Sequence, residues 1–278
     1  MPHFYELLEN RIISPGDEIE RLNTLFYRET TIDIVESRSY LSFQNFIDLR
    51  VFRKFDANFR LTFLNVDDMM VSFDLHRNDE SIEGLFLYSE FILGIIDKGW
   101  DEIKNVETAR KQALLIYGNI KSFAEKTNHE ISAIEGGQRI IVEKNKLTSQ
   151  AVEQIKDEDI AFATIEYNHT KLKGNLDKKR SILRSLGQYI EPLLKSRKLA
   201  NNGYAGLESD VGFLLNNFHI RHNNKEGNNA NKYIASIDDA TLEGWYDKAY
   251  NMMLSAIIME KNIDVCEELT ELKSKHWK

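Results

Sequence analysis

The sequence predicts a mainly α-helical fold: helical bundles with a small β-hairpin inserted between them. Three observations predict it. Only three prolines and fourteen glycines punctuate 278 residues, too few turn formers for an all-β sandwich or barrel. Long stretches repeat apolar residues at spacings of three and four, the period of one helix face. One segment, 130–144, sets Gly136-Gly137 between β-branched runs, which is a hairpin signal.

Taken in order, residues 4–55 read as short helices. Ser14-Pro15-Gly16-Asp17 makes a turn followed by a helix start, with Asp17 and Glu18 suited to a positive helix end. The stretch 59–75 is ambiguous. Leu61 and Phe63, then Met69, Val71, Phe73 and Leu75, alternate at strand period, while Phe59 and Leu64 blur the pattern. From Asp79 the HRNDES run supplies capping residues for a helix over 82–96, and a second helix covers 105–126. Its Val106, Ala109, Ala113, Ile116, Ile120 and Phe123 share one face. After the hairpin, Thr148 and Ser149 can cap a helix through Ile155. A long helical segment spans 159–196, interrupted near Lys173-Gly174-Asn175, with Pro192 kinking or restarting it. Residues 207–220 are helical again, 223–231 form a polar loop, and a last helix runs from 238 to 260. The tail EELTELKSKHWK either extends that helix or frays. The organisation expected is an N-terminal helical region over 1–128, a hairpin connector over 129–145 and a C-terminal helical bundle over 146–278.

Composition bounds the function. Hydrophobic residues at 42% and charged residues at 29% suit a soluble globular chain and exclude disorder. The single cysteine, Cys266, excludes a disulfide scaffold and a cysteine-rich zinc module, and its acidic neighbours disfavour a reactive thiolate. A net charge of −8 argues against a generic nucleic-acid coat protein, though not against a local basic patch. The start, MPHFYELLENR, carries no secretory signal, so the cytosol is the expected compartment. The most apolar run, LFLYSEFILGII, is too short to span a bilayer and contains Glu90, so no membrane association is expected.

Many chemistries leave no trace. There is no P-loop, no GxGxxG, no GxSxG and no HExxH. Asp67-Asp68 reads as a turn or helix start rather than a cation site, because hard cations need several convergent oxygens. No metal and no cofactor is expected. The aromatic and methionine residues of 245–259 read as core or a dimer face.

One segment carries a functional signal. Residues 213–229 read FLLNNFHIRHNNKEGNN, and nine of the eleven residues from Asn216 to Glu226 can hydrogen-bond or titrate. At helix spacing Asn217 and Arg221 are neighbours, which places Arg221 at or near a helix C-terminus. Arginine offers a planar fork to phosphate oxygens and stays charged, and histidine moves protons near neutral pH. Such a set can stabilise a phosphorane. It also reads as a solvated loop whose charges suit a helix end. A second basic group lies upstream: between Lys171 and Lys198 there are six lysines and three arginines against Asp177 and Glu191, including the contiguous Lys178, Lys179 and Arg180. This group either contacts phosphate or is a solvated face paired with the acidic tail.

The layout of 146–278, a long helix, then Arg221, then the polar His222 and a short polar run between two bundle helices, resembles HEPN domains. The resemblance is closest to those of bacterial abortive-infection proteins. The family motif is Arg, a polar residue, and a histidine after four to six intervening residues. Here Arg221 and His222 fit the first two, and Glu226 or Gly227 stands where the closing histidine would fall. The resemblance implies a phage-defence protein and a metal-independent endoribonuclease acting on RNA. In that reading Arg221 stabilises the phosphorane and His222 or His219 transfers protons, with Glu226 as partner. Asn217, Asn223, Asn224 and Lys225 then hold phosphate, joined by Lys178, Lys179 and Arg180. It also implies a homodimer with one composite cleft. The missing histidine leaves a second reading open: a non-catalytic module of the same fold, an antitoxin, adaptor or sensor with an unidentified protein partner.

Overall fold

The computed structural model describes residues 14–28, 32–34, 39–54, 62–75, 79–226 and 230–277. The chain is mainly helical and divides into two compact units, Met1–Ile141 and Val142–Lys278. The division falls inside a strand, in the hairpin segment.

In the first unit, helix α1 (Pro15–Tyr27) starts where Ser14 accepts a hydrogen bond from the Asp17 N–H. Pro15 costs nothing in that first turn, where its missing N–H would have no partner. Ile19, Leu22 and Phe26 form its buried face. Strands β1 (Ile32–Ile34) and β2 (Ser39–Leu41) then pair antiparallel, with Asp33 opposite Tyr40. These strands correct the expectation of helices alone before residue 55. Three-residue strands are too short to show a period. The part of that expectation over 4–13 lies outside the described residues. Helix α2 (Phe43–Phe46) runs into a π turn over Ile47–Val51 and buries Phe43, Phe46, Ile47 and Val51.

The alternating stretch resolves as helix α3 (Val66–Ser72). Asn65 caps it by accepting the Asp68 N–H at 2.8 Å. Val66, Met69 and Met70 are buried, whereas Val71 and Phe73 are exposed, so three-and-four spacing prevails over alternation. Phe59 and Leu61, the start of the strand reading, lie outside the described residues. Asp67 and Asp68 sit in the first turn and are spent on protein donors, the Tyr27 hydroxyl at 2.7 Å and the Leu64 N–H at 2.9 Å.

Ser81 caps helix α4 (Ile82–Lys98), which carries the apolar run and buries ten residues. One of them is Glu90, whose carboxylate accepts the Ile141 N–H at 2.7 Å. After a short turn of helix, α5 (Trp100–Ile103), comes α6 (Glu107–Lys126), with Ala109, Ala113, Ile116, Ile120 and Phe123 buried as its pattern requires. The hairpin follows: β3 (His129–Ala133) and β4 (Arg139–Glu143). Gly136 and Gly137 both have φ +75°, a conformation glycine adopts without steric cost.

In the second unit, helix α7 (Lys146–Val152) is capped by Asn145, not by Thr148 or Ser149. Thr148 is inside the helix, buried and bonded to the Tyr250 hydroxyl at 2.8 Å. The long segment expected over 159–196 is three helices: α8 (Glu158–Glu166), α9 (Leu176–Tyr189) and α10 (Glu191–Ser196). Gly174 (φ +77°) and the Asn175 cap separate the first two, and Pro192 restarts the chain in the first turn of α10. Then come α11 (Ala205–Asn217), the short α12 (Lys232–Ser236) and α13 (Asp239–His276).

Helix α13 is the axis of this unit. Leu242, Tyr246, Ala249, Tyr250, Met253 and Ile257 are buried along it and join Leu183, Leu186, Val211 and Leu215 in one core. Tyr250 stacks on Tyr167 with ring centroids 4.0 Å apart. From Val265 onward every described residue of α13 is exposed, so the tail extends the helix without joining the core. Among the described residues, no helix is long and apolar enough to cross a membrane.

Candidate functional site

The polar segment begins where α11 stops. Phe218 is the C-cap residue, and its ring packs 4.7 Å from Trp245 and 6.4 Å from Tyr233. His219 then takes the left-handed conformation, φ +59°, which turns the chain away from the helix axis. A non-glycine residue at positive φ needs support, and Asn224 provides it. The His219 N–H donates to Asn224 Oδ1 at 2.9 Å, and the Asn224 N–H donates to His219 Nδ1 at 3.1 Å. These two reciprocal bonds close a clasp across the loop, with Asn224 buried.

The clasp fixes the chemistry of His219. Nδ1 is an acceptor, so in the neutral ring the proton resides on Nε2. Burial, with the charges of Arg180 and Lys225, pushes its pKa below the ordinary 6.5, against the weaker pull of Asp177 and Glu226. His219 is thus held neutral, a poor state from which to donate a proton to a leaving group.

Asn217, Arg221 and Asn223 are also committed within the chain. Helix α11 ends before helical spacing can bring Arg221 beside Asn217, which corrects that expectation. Asn217 Nδ2 donates to the Phe213 carbonyl at 2.9 Å, on its own helix. The Arg221 backbone N–H donates to the Leu215 carbonyl at 3.0 Å, and its guanidinium donates to the Gly187 carbonyl at 3.2 Å. Gly187 also lets Leu215 of α11 pack closely on α9: a Cβ there would come 2.7 Å from Leu215 Cδ2. The Arg221 charge also helps hold the Glu191 carboxyl below its usual range, a shift set mainly by the hydrogen bond from Lys195. Asn223 Oδ1 accepts the Lys225 and Glu226 N–H groups in a local turn. His222 and Glu226 are exposed, and the His222 imidazole makes no hydrogen bond among the described residues. Gly227 lies outside them.

Of the upstream basic residues, Lys178 forms an ion pair with Glu166 at 3.2 Å. Lys179 is buried, with Nζ 2.8 Å from Glu243 and 2.7 Å from Asp247, so it is a core ion pair and not a phosphate contact. Arg180 is different. Its Nε and Nη2 each donate at 3.3 Å, to the Ile220 and His222 carbonyls. The two basic segments of the sequence meet here.

A cleft of about 580 Å³ opens at that meeting point. Arg180, His219 and Lys225 line it, and Arg221 and His222 do not. Lys225 reaches across to Asp239 at 3.0 Å. Sequence reasoning missed Lys173, Asp177, Asp239 and Tyr246, which also line it. Tyr246 reads as a core residue from helical spacing and is 1% exposed, yet its hydroxyl makes no hydrogen bond within the described protein. Burial raises its pKa to about 12, so it is a neutral donor at physiological pH. Among the described residues no group of three or more His, Cys, Asp or Glu side chains is placed to hold a metal ion. Compared with protein-family models, with curated proteins and with solved structures, the chain matches none.

Proposed function

We propose that the C-terminal unit is a HEPN-like interaction module of a phage-defence protein, binding a partner without cutting RNA. The observation that carries this reading is the commitment of the motif arginine. Arg221 donates to Gly187, and His219 is locked in its clasp with Asn224. A ribonuclease of this kind needs an arginine and a histidine aimed at one phosphate. The cleft beside His219 and Arg180 is lined by neither Arg221 nor His222.

The other reading is a ribonuclease site completed by a second copy of the chain. It is favoured by the exposed His222 imidazole, one residue from Arg221 and without a hydrogen-bond partner among the described residues. Expression in bacteria separates the two. The wild type and an Arg221→Ala, His222→Ala double variant are compared for growth and for integrity of total RNA, with and without phage challenge. The interaction reading expects intact RNA from both. RNA cutting by the wild type that disappears in the double variant would overturn it.

A further inference from the structure

The cleft of the second unit presents more hydrogen-bond donors than the protein itself uses. Arg180 has its fork oriented by two backbone carbonyls, which leaves Nη1 uncommitted among the described residues. His219 has Nδ1 occupied, so Nε2–H is the ring's remaining donor. Tyr246 is buried except where it lines the cleft, and its hydroxyl has no acceptor among the described residues. The ring is packed in the core and the hydroxyl faces the cleft, so it is a fixed donor that a ligand entering the cleft would meet. Lys173 lies on the same wall, beside the first turn of α9, whose dipole also favours negative charge.

Charge decides which acceptor fits. Three cations line the cleft, but Asp177 and Asp239 line it too. A run of bare phosphates would meet those carboxylates and be repelled. A ligand with one anionic end and several hydroxyl groups meets no such penalty, because carboxylates accept hydrogen bonds from hydroxyls. The volume is within the range of small-molecule sites. We propose that this cleft binds the phosphate monoester of a sugar, with the phosphate at Arg180, His219 and Tyr246 and the sugar hydroxyls toward Asp177 and Asp239. The ester is either a free sugar phosphate or the 5′-phosphorylated end of an RNA strand. This goes beyond the interaction-module reading and does not depend on it, since binding and RNA integrity are separate readouts.

The test is calorimetric titration of the full chain with inorganic phosphate, ribose 5-phosphate, ribose, and a short RNA carrying either a 5′-phosphate or a 5′-hydroxyl. Saturable binding of ribose 5-phosphate is expected, with ribose silent. Tyr246→Phe removes only the hydroxyl and is expected to weaken binding about tenfold with an unchanged melting temperature. Arg180→Gln is expected to weaken it further, but it also frees the loop, so Tyr246→Phe is the deciding variant. Preference for 5′-phosphorylated over 5′-hydroxyl RNA supports the proposal with a strand end as the source. Binding of ribose 5-phosphate alone supports it with a free metabolite as the source. No binding of any phosphorylated probe at millimolar concentration, or binding that Tyr246→Phe leaves untouched, overturns it.

Discussion

His219 shows how one side chain can look catalytic in sequence and be structural in place. Its Nδ1 must stay unprotonated to accept the Asn224 N–H, and its surroundings hold its pKa down. The sign of the resulting pH dependence follows. Above about pH 6.5 the ring is neutral in both folded and unfolded chains, and the clasp contributes in full. Below that value the unfolded chain takes up the proton first, so stability falls as pH falls until the folded ring titrates as well. Urea midpoints of the wild type are expected to drop between about pH 7 and pH 5. His219→Asn, which tolerates the left-handed conformation, should show a shallower drop. Equal slopes for the two proteins would remove His219 from this role.

At the scale of elements, α9 and α13 are held by more than apolar packing. Lys179 on α9 is buried between Glu243 and Asp247 on α13, and Asp247 also accepts the Tyr167 hydroxyl at 2.9 Å. Lys179→Met keeps the bulk of the side chain and strands two carboxylates. Breaking a buried pair from one side costs about 3–5 kcal/mol, and the half-exposed Asp247 places this case at the low end, about 3 kcal/mol. Chemical denaturation measures it, and a loss below about 1 kcal/mol would mean the pair is solvated like a surface bridge. The same lysine marks a limit of legibility. In sequence Lys178, Lys179 and Arg180 form one basic cluster. Only the helix phase relative to its neighbours separates a surface ion pair, a core ion pair and a cleft residue. Apolar periodicity made α4, α6 and most of α13 readable, and Gly136-Gly137 announced the β3–β4 hairpin. It failed where elements are short, as in β1 and β2, and at α3, where alternation and helical spacing coincide over seven residues. In the candidate site, Arg180, His219 and Lys225, which the sequence singled out, line the cleft, and Arg221 and His222 do not. The sequence could not reveal that α11 stops at Asn217, nor that Tyr246 opens its hydroxyl to a cleft.

At the scale of the whole molecule, the second unit carries a core of its own, built from residues between Ala151 and Ile257. A fragment spanning 142–278 is therefore expected to fold alone, with helical circular dichroism and a single cooperative melt. A broad, non-cooperative transition would show that its core needs the first unit. The three tryptophans are unevenly placed across the chain: Trp100 in the first unit, Trp277 exposed near the end, and Trp245 against Phe218, the residue that closes α11. Lys248 sits 4.2 Å from the ring centroid of Trp245. Trp245 is thereby an intrinsic fluorophore at the base of the polar loop, with a neighbouring ammonium that its excited state senses. In a chain whose other two tryptophans are replaced by phenylalanine, emission would report opening and closing of this loop without an added dye.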